Sequence, residues 1–91
     1  MDAQTLRVLV IEREHAVVLQ GLDLDISAQG SSLEEAQDRF TIAMNAELFY
    51  CADNSLDPNR VIGKAPEYVF NLWDTCESFE DSSGFEMRRC A

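Results

Sequence analysis

Two aspartates two positions apart, Asp23 and Asp25, are the residues of this sequence best placed by type and spacing to do chemistry. On a strand such a pair projects from one face, where it can share a divalent cation or divide acid and base roles. No third ligand for them can be identified in the sequence. They read as a solvated strand face that presents negative charge to a partner. The one histidine, His15, lies in the polar stretch Arg13-Glu14-His15 and reads as a surface turn residue, not a general base. Cys51, Cys76 and Cys90 are odd in number and widely spaced, with no C-x-x-C, so neither a zinc motif nor a disulfide framework is expected. Cys51 and Cys76 continue helical apolar stripes and read as small buried hydrophobes; nothing marks Cys90 as a nucleophile. No phosphate-binding loop, G-x-G-x-x-G, G-x-S-x-G or H-E-x-x-H occurs. The expectation is a protein that is not an enzyme and carries no cofactor and no metal.

The charge balance points the same way. Seventeen acidic side chains oppose seven basic ones, a formal net charge of −10 over 91 residues. Phosphate backbones and anionic lipid bind through lysine and arginine clusters, and Arg88-Arg89 is the only basic doublet. Direct nucleic-acid binding and membrane association are therefore not expected. A basic protein is the partner that such a surface attracts, although acidity also simply keeps a small protein in solution. The N-terminus, Met1-Asp2-Ala3-Gln4, has no basic region and no long apolar stretch, and with the cysteine pattern this predicts a cytoplasmic protein.

Three strands must position these residues. Thr5–Glu12 contains the run Val8-Leu9-Val10-Ile11, which reads as an interior strand covered on both faces. A second strand is predicted at about 15–20, with Gly21 to punctuate it. At about 22–29, Leu22, Leu24, Ile26 and Ala28 alternate with polar residues, the period of a strand with one wet face. Short connections make this a three-stranded antiparallel meander. Ser31 and Ser32 each stand three residues before a glutamate, the capping-box spacing, and open a helix over about 32–50. Its stripe of Leu33, Ala36, Phe40, Ala43, Met44 and Leu48 faces the sheet. Ile42, Ala46, Phe49 and Tyr50 lie off that stripe and need a second partner, either the rest of the chain or another subunit. Residues 53–65 read as loop, and Pro66 opens a second helix over about 66–78 with Val69, Leu72, Trp73 and Cys76 along one side. Phe70 and Trp73 join Ile42, Ala46, Phe49 and Tyr50 as the candidate dimer or partner interface. Residues 1–80 form a single α+β domain, and 81–91 read as a flexible tail.

The segment Ala28-Gln29-Gly30-Ser31-Ser32-Leu33-Glu34-Glu35-Ala36, placed after three short strands, resembles the HicB-like family over about residues 5–50. The resemblance implies a partial ribonuclease-H-like fold, a small antiparallel sheet with a helix across one face, without ribonuclease activity. It further implies an antitoxin that self-associates and covers a small basic RNA-cleaving toxin of the HicA type. A stand-alone self-associating scaffold or regulatory domain is the alternative. A metal-dependent nuclease using Asp23 and Asp25 is a more distant one.

Overall fold

The computed structural model describes residues 6–79 and 84–90. The chain runs β1 (Arg7–Glu12), β2 (Val17–Gly21), β3 (Ser27–Gly30), α1 (Leu33–Asp53), α2 (Pro58–Val61), α3 (Glu67–Trp73), β4 (Glu77–Phe79) and β5 (Glu86–Cys90). The strands form one sheet in the order β3-β2-β1-β5-β4. β1 pairs antiparallel with β2 and parallel with β5; the pairs β2–β3 and β4–β5 are antiparallel. The α+β class holds. The three-stranded meander is corrected to a five-stranded mixed sheet.

β1 sits at the centre with both faces covered, as its unbroken apolar run requires. Val8 and Val10 point to the α1 side, where they pack with Leu19, Leu24, Ile26, Ala36, Phe40 and Met87. Leu9 points to the opposite side and packs with Leu22, Ala65, Val69 and Trp73 beneath α3. One strand thus feeds two apolar clusters, and the molecule has three layers.

The predicted strand at 22–29 is corrected. Only Ser27–Gly30 is a strand, because Gly21 N–H donates to Ile26 O at 2.8 Å and closes residues 22–25 into a loop. The period-two burial survives for another reason: Leu22 turns to the α3 cluster, while Leu24 and Ile26 turn to the α1 cluster. Gly21 is required at this closure, since a Cβ there would meet Leu24 O at 2.5 Å.

The helix α1 begins as its capping spacing dictates. Ser32, not Ser31, is the cap: its Oγ accepts from Glu35 N–H at 3.2 Å, and Glu35 Oε1 accepts from Ser31 N–H at 3.0 Å. That backbone bond, followed by the nearby Arg39, holds the Glu35 carboxyl below its ordinary range. Gly30 makes the handover possible, because a Cβ there would lie 2.6 Å from Ala36 N. The helix runs to Asp53, one turn beyond the expectation, and so brings Cys51 to full burial. The predicted loop at 53–65 contains the short α2, with Pro58 in its first turn and Asp57 as its cap.

Three expectations fail together at the C-terminal end. The second helix stops at Trp73 instead of 78, with Thr75 Oγ1 donating to Leu72 O at 2.8 Å. Residues 84–90 of the supposed tail include β5, an interior strand; residues 81–83 and 91 of that expectation lie outside the described residues. Cys76 and Cys90 form a disulfide, with Cα atoms 4.8 Å apart and a sequence separation of 14. Cys76 is therefore not a free helical hydrophobe, and the cysteines no longer argue for a reducing compartment. Cys51 is free and buried.

Candidate functional site

Two positions of the loop between β2 and β3 decide what the acidic pair can do. Asp23 is engaged: Arg7 Nη2 donates to Oδ1 at 2.6 Å, while Arg7 Nε and Arg7 N–H donate to Oδ2 at 3.3 and 3.2 Å. This forked pairing with the guanidinium holds the Asp23 carboxyl below its ordinary range and raises Arg7. Asp25 is exposed and, among the described residues, its carboxylate accepts an amide hydrogen bond from Gln20 Nε2 at 2.9 Å. The structure does not keep the two carboxylates on one strand face, because the segment between Gly21 and Ser27 is not a strand. Asp23 is corrected from a partner-facing charge to an internal tie; Asp25 remains available. Among the described residues no group of three or more His, Cys, Asp or Glu could hold a metal ion. His15 lies in the tight β1–β2 turn with its side chain 89 % exposed, against Glu14 at 3.6 Å.

The six candidate interface residues divide by helix. Phe70 and Trp73 belong to α3 and face the sheet, where they take part in the second apolar cluster. Trp73 is 4 % exposed, and it stacks under the Arg88 guanidinium, 4.5 Å from the ring centroid. Arg7 lies over the Phe70 ring at 5.3 Å. Trp73 is a core anchor and not a docking residue, while Phe70 is partly buried at the edge of that cluster. Tyr68 and Leu72, on the outer side of α3, are exposed instead.

Ile42, Ala46, Phe49 and Tyr50 have the opposite fate. At i, i+4, i+7 and i+8 they form one row along α1, directed away from the Ala36–Phe40–Cys51 side that meets the core. Ile42 is 68 %, Phe49 73 % and Tyr50 55 % exposed, and Ala46 is exposed as well. The described remainder of the chain does not cover the row. Asp38, Glu47 and Asp53, all exposed, lie along the same helix beside it. Arg39, on the same helix surface, is occupied: it donates to Gln29 O at 2.9 Å and pairs with Glu35 at 3.5 Å. The surface is an apolar row with a carboxylate margin.

Among the described residues, two clefts bear on the candidate site. One, of about 390 Å³, lies between α1, α2 and the entry to β3 and includes Asp25 and Glu47. The other, of about 300 Å³, lies along β4 and includes Arg89, which is already paired with Glu12 at 2.6 Å and stacked on Phe79 at 4.6 Å. No helix among the described residues is long and apolar enough to cross a membrane. Sequence reasoning missed Glu47 and α2; the Asp57-Pro58 pair was the available signal for the helix start. Comparison with protein-family models, with curated proteins and with solved structures gave no match.

Proposed function

We propose that this chain is a non-catalytic protein-binding module, a HicB-like antitoxin or an orphan relative, that receives a small basic protein on the outer face of α1. The observation that carries the reading is the uncovered row of Ile42, Ala46, Phe49 and Tyr50 on a chain of net charge −10. Burial of large apolar side chains supplies affinity, and the surrounding carboxylates speed encounter with a basic partner. Gly30-Ser31-Ser32, the segment that carries the resemblance, forms the tight, capped entry to α1. In the antitoxin reading the partner is an RNA-cleaving toxin of the HicA type, neutralised by steric cover in the cytoplasm.

Affinity capture of the tagged full chain from its native host, eluted with salt and read by mass spectrometry, tests this. The expected result is a small basic protein that cleaves RNA and is inhibited on re-addition of the chain. It should be lost from Ile42→Ser/Phe49→Ser. Recovery of the chain alone overturns the antitoxin reading. A dimeric mass that the same double substitution converts to monomer would favour the alternative, a self-associating scaffold that closes the row against a second copy.

A further inference from the structure

We infer that the cleft between α1, α2 and the entry to β3 seats a lysine or arginine side chain of the docked protein. This rests on the reading of α1 as a protein-docking face and names the feature by which that face would select a basic partner.

The cleft combines an apolar lining from Ile26, Ala43, Val61 and Ile62 with two carboxylates, Asp25 and Glu47. At about 390 Å³ it has room for one long side chain. Neither carboxylate has an ion-pair partner among the described residues. Asp23, two residues from Asp25, has Arg7 and is no part of the cleft. A lysine or arginine fits both demands of such a lining: its methylene stem covers apolar surface and its charged head reaches the carboxylates. Phosphate or another carboxylate would meet like charge here.

The wall that carries Asp25 is fixed before any partner arrives. Asp25 N–H donates to Gly63 O at 2.9 Å, and Gln20 Nε2 holds the carboxylate at Oδ1. Preset geometry lowers the ordering cost of binding. The cleft is also continuous with the apolar row. Ala43 and Glu47 each stand three residues before a member of it, Ala46 and Tyr50, and so are its neighbours on the helix surface. A partner seated on Ile42, Ala46, Phe49 and Tyr50 therefore has the cleft at its margin. The cleft along β4 offers no equivalent, since Arg89 there is already matched by Glu12.

The test is an NMR titration of the isotope-labelled full chain with a synthetic peptide alternating arginine and leucine, against the same peptide with citrulline for arginine. Saturable shifts at the amides of Asp25, Ala43, Glu47 and Val61 are expected with the arginine peptide only. Asp25→Asn/Glu47→Gln should weaken binding about fivefold, the scale of an exposed charge pair. Glu14→Gln, an exposed carboxylate in the β1–β2 turn away from α1, should leave it unchanged. Equal weakening by Glu14→Gln, or none by the cleft pair, overturns the inference. The two readings fail separately. If Ile42→Ser/Phe49→Ser abolishes binding of the captured protein while Asp25→Asn/Glu47→Gln does not, the cleft inference falls and the docking face stands. If neither pair weakens that complex, both fall.

Discussion

The two faces of the sheet are covered by helices of unequal length and are held in unlike ways. On one face α1 spans 21 residues, is capped by Ser32 and lays Ala36 and Phe40 on Val8, Val10, Leu19 and Met87. On the other, α3 has seven residues and no side-chain cap, and it covers Leu9 and Leu22 with little more than Val69 and Trp73. A helix of two turns has almost no stability of its own. That face is tied down by long-range links: Arg88 on Trp73, Arg7 on Phe70, the Arg7–Asp23 pair and the Cys76–Cys90 bridge. Arg88 Nη1 also donates to Trp73 O at 2.8 Å, at the last residue of α3, while Arg88 Nε stays buried without an acceptor among the described residues. Length and local capping secure the first face; tethers secure the second. The long helix consequently has surface to spare for a partner, and the short one does not.

Removing Trp73 should break the tethered face most severely. Trp73→Ala is expected to lose about 3–5 kcal/mol, as for other buried aromatic truncations, measured by urea denaturation. A loss under 1 kcal/mol would mean that the α3 layer is dispensable. The disulfide comes next. Reduction, or Cys76→Ser with Cys90→Ser, should lower stability by about 3 kcal/mol for a loop of this length, read as a shift in urea midpoint with and without a phosphine reductant. Ser32→Ala, the matched change on the α1 face, should cost only about 1 kcal/mol, because one capping bond is a small part of a long helix's support.

The Arg7–Asp23 pair sharpens the comparison through pH. Arg7 holds the Asp23 carboxyl below its ordinary range, so the folded chain binds that proton less tightly than the unfolded chain does. Its stabilisation is complete above the unfolded value of about 3.9 and is lost as pH falls through the lower folded value. Asp23→Asn should lower stability at pH 7 by about 1 kcal/mol, a charged hydrogen bond discounted for the partial solvent exposure of the pair. It should also flatten the loss of stability below pH 4 in denaturation curves taken across that range. The smallest effect is expected on the outer face of α1. Ile42→Ser/Phe49→Ser should change stability by no more than about 0.5 kcal/mol, since both side chains are exposed, while removing partner binding.

Much of the first half of the fold is legible in the sequence because its signals are local. The run Val8–Ile11 marks a strand buried on both faces, and the two serine–glutamate spacings mark the start of α1 to within a residue. The apolar set on α1 divides by helical period into a buried stripe and an exposed row, and the structure keeps that division. The same reasoning misreads Leu22–Ile26, where alternation is produced by a loop that sends its apolar residues to opposite faces. It also misreads 84–90, where Met87 is the only apolar side chain in Glu86-Met87-Arg88-Arg89. Such a segment becomes an interior strand only because Trp73, Phe79 and Glu12 receive its arginines.

The sequence by itself determined an acidic α+β chain, a central apolar strand, a capped helix and the residues of that helix left without a place in its own core. Periodicity and capping act between residues a few positions apart and can be read without knowing where the rest of the chain goes. The tertiary structure decided the parallel pairing of β5 with β1, the Cys76–Cys90 bridge, the parting of Asp23 from Asp25 and the cleft that joins Asp25 to Glu47. Each of these depends on residues 14 to 79 positions apart in sequence meeting in space. No local pattern encodes that meeting; the closing of two apolar clusters on opposite sides of one strand brings it about.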